Sequence, residues 1–483
     1  MSFSFSSEVN PQKMFAVSFS ELENRLEPEY YTPDLRSLED LVRKHSDHKL
    51  RHYIQGISSG ATPSTTQPKK YYTDKENGYP FLRVQNLQIN GKLNFNNLKY
   101  INEKTHNGKL HRSQVEEGDL LIKITGVGRM AIASVAPEGF VGNTNQHMVV
   151  VKTESKEISE YLANYLNLDL VETLASRRAT GATRPALDYQ ALKSIPIIEG
   201  LDFSIIEEAY QTKAQKEAEA EELLSSIDDY LLSELGIEVP EKDNSLHNRI
   251  FTTSFQNLAG ERNDPYYFHP IFQTNVENIR ECKYETQPFK NLIHFIESGS
   301  RPKGGVSNTK SGIWSIGGEH VGKECQVGIG TPKYISRAFH EKHLNTKTQL
   351  LDIILVKDGA TTGKVGIITN PDLANQNINE HVFLVRPNNK LNPFYLTYYL
   401  HSSVGQKQID REITGATVTG LTKQAIRNIS IPLPPIEKQN EIANDIKQTR
   451  KKAKQSKKEA EQAVEGARRQ VEEMILEEDS NAF

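Results

Sequence analysis

Cysteine is nearly absent: Cys282 and Cys325 are the only two in 483 residues, 43 positions apart. That excludes a disulfide framework, argues against a cysteine zinc site, and fits a reducing cytoplasm. No stretch approaches the roughly 18 uninterrupted apolar residues of a membrane span. The first residues lack a basic segment leading into an apolar run, so no secretory signal is expected. A strong surplus of one charge is missing too, since the net charge is only −4. Its distribution is uneven, however. Residues 50–200 carry +4 and residues 285–432 carry +6, which leaves −14 for the rest, and residues 201–236 alone carry −8. Two mildly basic blocks flanking an acidic one are compatible with phosphate contact at two places. With 36% hydrophobic and 25% charged residues the chain reads as globular, and its length suggests two to four domains.

The chain repeats itself in order along most of its length. Arg25-Leu-Glu-Pro-Glu-Tyr-Tyr-Thr-Pro33 returns as Arg262-Asn-Asp-Pro-Tyr-Tyr-Phe-His-Pro270. Ser59-Gly60 with Pro63 returns as Ser298-Gly299 with Pro302, and Lys99-Tyr100-Ile101 as Lys333-Tyr334-Ile335. Asn143-Thr-Asn-Gln-His147 returns as Asn377-Ile-Asn-Glu-His381, Tyr165-Leu166 as Tyr399-Leu400, and Thr180-Gly-Ala-Thr183 as Thr414-Gly-Ala-Thr417. Leu187 and Gln190 then match Leu421 and Gln424, and all offsets stay between 233 and 239. The chain is a tandem duplication.

Each copy opens with a strand-like part. Asp119–Ile124, Met148–Val151, Leu350–Val356 and His381–Val385 are aliphatic and β-branched, and clusters of Gly, Asn and Asp bound them. Short helices are expected at 159–176 and 393–409. Each copy closes with a long helix. Ile206, Ala209, Lys213, Lys216, Ala220, Leu223, Ile227 and Tyr230 form one seam of three-and-four spacing. Ile442, Ile446, Thr449, Ala453, Ser456, Ala460, Ala463, Ala467, Gln470 and Met474 form the other. Gly236 and Pro240 close the first helix, and Pro432, Pro434 and Pro435 precede the second. Alanines and polar residues weaken both seams, so the helices are expected to pair with each other. A helix over 203–235 spans about 50 Å at ~1.5 Å per residue. The expected fold is α+β: a duplicated mixed α/β module followed by a long helix, the two helices pairing as an antiparallel coiled coil. The expected boundaries are 1–200, 201–240, 241–433 and 434–483, and a symmetric closure would give a dumbbell.

These doubled motifs, with the closing Ile429-Ser-Ile-Pro-Leu-Pro-Pro-Ile-Glu-Lys-Gln439, resemble the specificity subunit of type I restriction–modification systems along nearly the whole chain. The resemblance implies target-recognition domains that each read one half of a split site in double-stranded DNA. It implies helices that dock two methyltransferase subunits, with restriction/translocase subunits joining the complex. S-adenosylmethionine, ATP and Mg would then be bound by those partners, and no cofactor by this chain. The copies depart from each other after the Thr-Gly-Ala-Thr motif, as Arg184-Pro185 against Val418-Thr419-Gly420. A phosphate-binding assembly scaffold without sequence preference is the alternative.

Enzyme motifs fail on inspection. Gly359-Ala-Thr-Thr-Gly363-Lys364 is one residue short of a phosphate loop and has Val365 where Ser or Thr is needed, so a strand-to-strand turn is expected. Asn263-Asp-Pro-Tyr266 lacks the second proline of an amino-methyltransferase motif, and Thr125-Gly-Val-Gly128 lacks the full dinucleotide pattern. His147 and His381 occupy equivalent places and are expected to be buried, hydrogen-bonded structural histidines, with DNA contact as the alternative. Base reading needs planar donors and acceptors on loops. The first copy offers Arg83, Gln85, Asn86, Lys123, Arg129, Arg177, Arg178 and Arg184, with Lys69 and Lys70 for phosphates. The second offers Arg301, Lys303, Glu319, His320, Lys357, Lys364 and Lys423.

Overall fold

The structure, a computed structural model, describes residues 10–477 other than 11, 20, 21, 23–25, 242–244, 246–248, 255–261, 263, 307–309 and 416–418. Arg25 and Asn263 of the first motif, and Ala416, Thr417 and Val418 around the last, lie outside the described residues. The chain divides into two compact units, Met1–Lys216 with Lys458–Phe483, and Glu217–Lys457.

The strands of the first unit are β1 Gly56–Ser59, β2 Tyr72–Thr73, β3 Tyr79–Leu82, β4 Lys99–Ile101, β5 Gln114–Glu116, β6 Leu120–Lys123, β7 Ala133–Val135, β8 Val141–Thr144 and β9 Met148–Lys152. One sheet has the order β1-β9-β6-β7 and is antiparallel throughout. The other has the order β2-β4-β3-β8-β5, with β3 and β8 parallel. Strand β6 is covered on both faces, which is why its sequence is a run rather than an alternation. Leu120 and Ile122 join the core under the helices, and Leu121 joins Met148 and Val150 on the opposite side.

The second unit repeats this plan. Its strands are β10 Thr286–Pro288, β11 Ile293–Ser298, β12 Ile313–Ile316, β13 Tyr334–Ile335, β14 Ile353–Val356, β15 Val365–Ile367, β16 Asn377–Ile378, β17 Val382–Pro387 and β18 Ser430–Pro432. The order β11-β17-β14-β15 answers β1-β9-β6-β7, and β12 pairs in parallel with β16 as β3 does with β8. Each expected short helix is in fact two: Lys156–Leu166 and Asp169–Arg178, then Pro393–His401 and Ser403–Glu412. Equivalent tyrosines tie these helices to the Ile-x-Ile-Pro segments. Tyr161 and Tyr165 donate to the carbonyls of Ile198 and Pro196 at 2.6 and 3.1 Å. Tyr395 and Tyr399 donate to those of Pro432 and Ser430, both at 2.9 Å. The Gly359–Lys364 segment is the turn between β14 and β15.

The long helices run Ser204–Leu235 and Ile436–Glu477. Gly236, at φ +67°, ends the first, with the Ile237 N–H donating to Leu232 at 2.9 Å. Within the first unit Tyr210 meets Arg468 at 2.5 Å and Lys216 meets Glu459 at 2.5 Å. Within the second, Tyr230 donates to Asp445 at 2.6 Å and Lys438 meets Glu234 at 2.6 Å. One number rises as the other falls, so the pairing is antiparallel in both units. The first seam is buried or half-buried at every expected position. On the second the seam drifts. Gln470 and Met474 are exposed, and Val471 and Ile475 take their places. A straight α-helix advances about 20° per heptad relative to a strict seven-residue repeat, so a seam read at constant spacing slips by a position after several heptads.

Candidate nucleic-acid interface

The repeated motifs converge on one cluster of loops in each unit. In the first unit the Asn145 N–H donates to Leu82 at 3.2 Å, Ile124 to His147 at 3.0 Å and Leu187 to Ile124 at 2.8 Å, while Thr180 and Ala186 bridge each other. In the second the Asn379 N–H donates to Ile316, Lys357 to His381 and Leu421 to Lys357, all at 2.8 Å, while Thr414 and Gly420 bridge each other. The Ser-Gly-x-x-Pro segment packs on the same place. A Cβ on Gly60 would lie 1.7 Å from the Thr144 carbonyl oxygen, and one on Gly299 would lie 2.1 Å from that of Ile378. Only glycine allows so close a backbone approach. The motifs therefore fix a shared loop scaffold.

The exposed side chains on that scaffold differ. In the first unit Arg184 is exposed and its Nη2 lies 3.0 Å from His147 Nε2. His147 is half-buried, and burial followed by the Arg184 charge lowers its pKa from the ordinary value. Gln146 accepts from Thr62 Oγ1 at 2.5 Å. In the second unit His381 is 49% exposed and faces Asp358 and Glu380, and Arg301 Nε meets Glu380 at 3.0 Å. Neither histidine is fully buried, which corrects the sequence expectation. One sits beside a cation and the other between two carboxylates.

A second group in the first unit is basic and aromatic. Pro68–Tyr71 forms one helical turn on which Lys69 and Lys70 are exposed. Lys70 and Lys109 lie over the Tyr71 ring at 5.3 and 5.0 Å, and Lys99 lies over Tyr72 at 5.6 Å. Lys99 and Lys109 escaped the sequence reading, because only the folded chain brings Lys99 of β4 and Lys109, at the end of the helical segment Thr105–Lys109, to the two tyrosines. Gln85 is exposed at the turn after β3, whereas Arg83 is half-buried with Nη2 donating to the Asn97 carbonyl at 2.9 Å. In the second unit Lys303 is exposed, Lys364 is half-buried, and Glu319 is exposed and meets Lys333 at 2.5 Å. Lys357 is half-buried near Asp358 at 3.5 Å, and Lys423 pairs with Glu297 at 2.6 Å.

Several candidates hold the scaffold together instead of facing outward. Arg178 is 2% exposed, with Nη2 on Glu39 at 2.5 Å, Nη1 on the Leu174 carbonyl at 2.8 Å and Nε on Ser194 at 3.0 Å. Arg177 also pairs with Glu39, stacks on Tyr30 at 4.1 Å and donates to its carbonyl at 2.6 Å. Arg129 pairs with Asp169 and donates to the Asn167 carbonyl at 2.5 Å. Buried Lys123 donates to the carbonyls of Val127 and Arg129 at 2.9 and 2.8 Å, and burial lowers its pKa. Asn86 and His320 are buried and accept the Arg83 and Gly317 N–H groups at 2.8 and 3.0 Å. Their side chains bond to the protein's own groups instead of facing outward, which corrects their assignment as DNA contacts. Among the described residues no group of three His, Cys, Asp or Glu side chains is placed to hold a metal ion. No helix among them is long and apolar enough to cross a membrane.

Known proteins are similar to this chain. Residues 57–198 and 326–465 match the family model described as type I restriction modification DNA specificity domain. Over 177 residues the chain is 33% identical to a protein of Methanocaldococcus jannaschii named as a putative type I restriction enzyme MjaX specificity subunit. The match covers 35% of this chain and 40% of that protein's length. A solved chain described under "Structural basis underlying complex assembly and conformational transition of the type I R-M system" superposes with a TM-score of 0.51 at 14% identity. It covers 89% of this chain and 96% of that one, a likeness of fold. The HsdS subunit from Thermoanaerobacter tengcongensis gives a TM-score of 0.37 at 16% identity over 89% and 95% of the two chains. The two matched segments make up more than half of the sequence, and each contains the hairpin, histidine and Thr-Gly loops described above: the chain belongs to the type I restriction–modification DNA specificity family.

Proposed function

We propose that this chain is the non-catalytic DNA-reading subunit of a cytoplasmic type I restriction–modification complex. Residues 1–200 read one half-site and residues 241–433 the other. The helices within 201–240 and 434–483 set the unread gap and dock two methyltransferase subunits, with restriction/translocase subunits completing the complex. S-adenosylmethionine, ATP and Mg belong to those partners. One observation carries the reading: the two loop clusters share their backbone hydrogen bonds while their exposed side chains differ, as a common scaffold reading two different sequences requires. Lys69, Lys70, Lys99, Lys109, Lys303 and Lys364 serve as phosphate contacts. Gln85, Arg184, Arg301 and Glu319 address base edges.

The test exchanges residues 250–433 for the equivalent block of a relative and maps methylated sites in cells carrying the complex. One half-site should change and the other persist; change in both or in neither refutes the modular reading. The exposed lysines would equally suit an assembly scaffold that touches only phosphates. Such a scaffold would bind random and selected duplexes alike, with the same steep salt dependence for each.

A further inference from the structure

The turn that follows β3 and the turn that follows β12 share one backbone while every side chain on them differs, Arg83-Val-Gln-Asn86 against Gly317-Gly-Glu-His320. Each is a single 3-10 turn, Val84–Asn86 in one unit and Gly318–His320 in the other. Each is closed by its third residue, with Asn86 Oδ1 accepting the Arg83 N–H at 2.8 Å and His320 Nδ1 accepting the Gly317 N–H at 3.0 Å. The remaining backbone bonds also match. Asn86 and Leu87 donate to Arg83 and Val84 at 2.7 and 3.1 Å; His320 and Val321 donate to Gly317 and Gly318 at 3.0 and 3.2 Å. Each turn adjoins its histidine loop through the Asn145–Leu82 and Asn379–Ile316 hydrogen bonds.

On this shared frame one side chain points outward at the same place. It is Gln85 in the first unit and Glu319 in the second, both exposed. A carboxamide offers one donor and one acceptor, whereas a carboxylate only accepts. Lys333 keeps Glu319 in the accepting form. Burial pushes that carboxyl up, but the Lys333 hydrogen bond, the backbone N–H of Glu319 and nearby positive charge outweigh it, leaving the pKa below the ordinary value. The equivalent lysine of the first unit, Lys99, lies over Tyr72 instead. In the major groove the donor-acceptor pair of a carboxamide matches adenine N6 and N7, and an acceptor-only group matches the N4 amino group of cytosine.

We propose that this turn is a base-selecting position in each unit, with Gln85 reading adenine in one half-site and Glu319 reading cytosine in the other. The assignment rests on the specificity-subunit reading and adds the identity of the base and the residue. The experiment selects bound sequences from random-sequence duplex DNA with the full-length chain, as wild type, Glu319→Gln and Gln85→Glu. Wild type should return a two-part motif. E319Q should convert one cytosine of one half-site to adenine, by about tenfold or more in relative enrichment, and leave the other half-site untouched. Q85E should make the reverse change, adenine to cytosine, in the other half-site. The two substitutions lie in different units, so a folding failure in one leaves the other decisive. A wild-type motif that both folded variants retain unchanged overturns the assignment while leaving the specificity reading intact. A wild type that selects no motif overturns the specificity reading itself.

Discussion

Glu39 is a buried carboxylate shared by two buried guanidiniums, which makes its removal a measurable test of which arginines are structural. It is 3% exposed and contacts Arg177, Arg178 and, at 2.6 Å, Arg43. Glu39→Ala removes the buried carboxylate that pairs with Arg177 and Arg178, which are 6% and 2% exposed. Removing one partner of a buried pair costs about 3–5 kcal/mol. Arg178 keeps the Leu174 carbonyl and Ser194, and Arg177 keeps the Tyr30 carbonyl, so the lower half of that range is expected. For a unit of this size each kcal/mol moves the melting temperature by about 2–4 °C, so a fall of roughly 6–16 °C should appear by calorimetry. Arg178→Met should cost less than E39A, since Glu39 keeps Arg177 and Arg43. DNA affinity, measured well below the transition, should be retained in both variants. An R178M protein that melts normally yet binds DNA weakly would refute the structural assignment and restore Arg178 as a contact.

Three further outcomes follow from the same geometry. Lys69→Ala should weaken binding alike on selected and random duplexes and lower the slope of log affinity against log salt by about one unit; a loss confined to the selected sequence would make Lys69 a base reader. Burial and Arg184 hold His147 below its ordinary pKa, so its neutral form favours the fold: that contribution is complete above about pH 6.5 and is lost as pH falls toward the folded-state value. Arg184→Ala should raise the His147 pKa in an NMR titration, and an unchanged value would break the link between the two residues. A heptad added after Ala220, matched by one near Ala460, lengthens the helices by about 10 Å and should widen the gap between half-sites by up to roughly three base pairs at ~3.4 Å each. Site mapping that finds the old gap with activity retained would show that the helices do not measure it.

The duplication, the strand runs and the helix seams were legible because each depends on spacing within the chain. Leu120–Ile124 and Val382–Val385 announce strands by composition, and the first seam matches burial over its whole length. The arginine assignments failed for a different reason. Arg177 reads as a basic loop residue until Glu39, 138 positions away, comes beneath it. Only tertiary structure makes that contact. Asn86 was open to a better reading, because an Asn side chain commonly accepts from a nearby backbone N–H and closes a turn, here that of Arg83 three residues earlier, and His320 does the same for Gly317. Lys99 and Lys109 gave no signal of their own, since the tyrosines they lie over are 27 and 38 positions away in the chain.

The failures share a direction. Several repeated motifs turn out to bind the scaffold, while Gln85 and Glu319, which differ, face outward. Arg177 stacks on Tyr30 at 4.1 Å and donates to its carbonyl; Arg411 stacks on Tyr267 at 4.1 Å and donates to its carbonyl at 3.2 Å. The Pro-x-Tyr motif is thus the surface on which a helix-terminal arginine docks, in both units. The Tyr-Leu motif ties a helix to the Ile-x-Ile-Pro segment, and the Ser-Gly motif is a close backbone crossing. If the chain reads two different sequences as proposed, it keeps its frame and varies its contacts, and its base readers are to be sought where the copies differ. Gln85 and Glu319, which differ on a shared backbone turn, satisfy that criterion. By the same criterion Arg184, whose counterpart Val418 lies outside the described residues, belongs with them and not with Arg177 and Arg178.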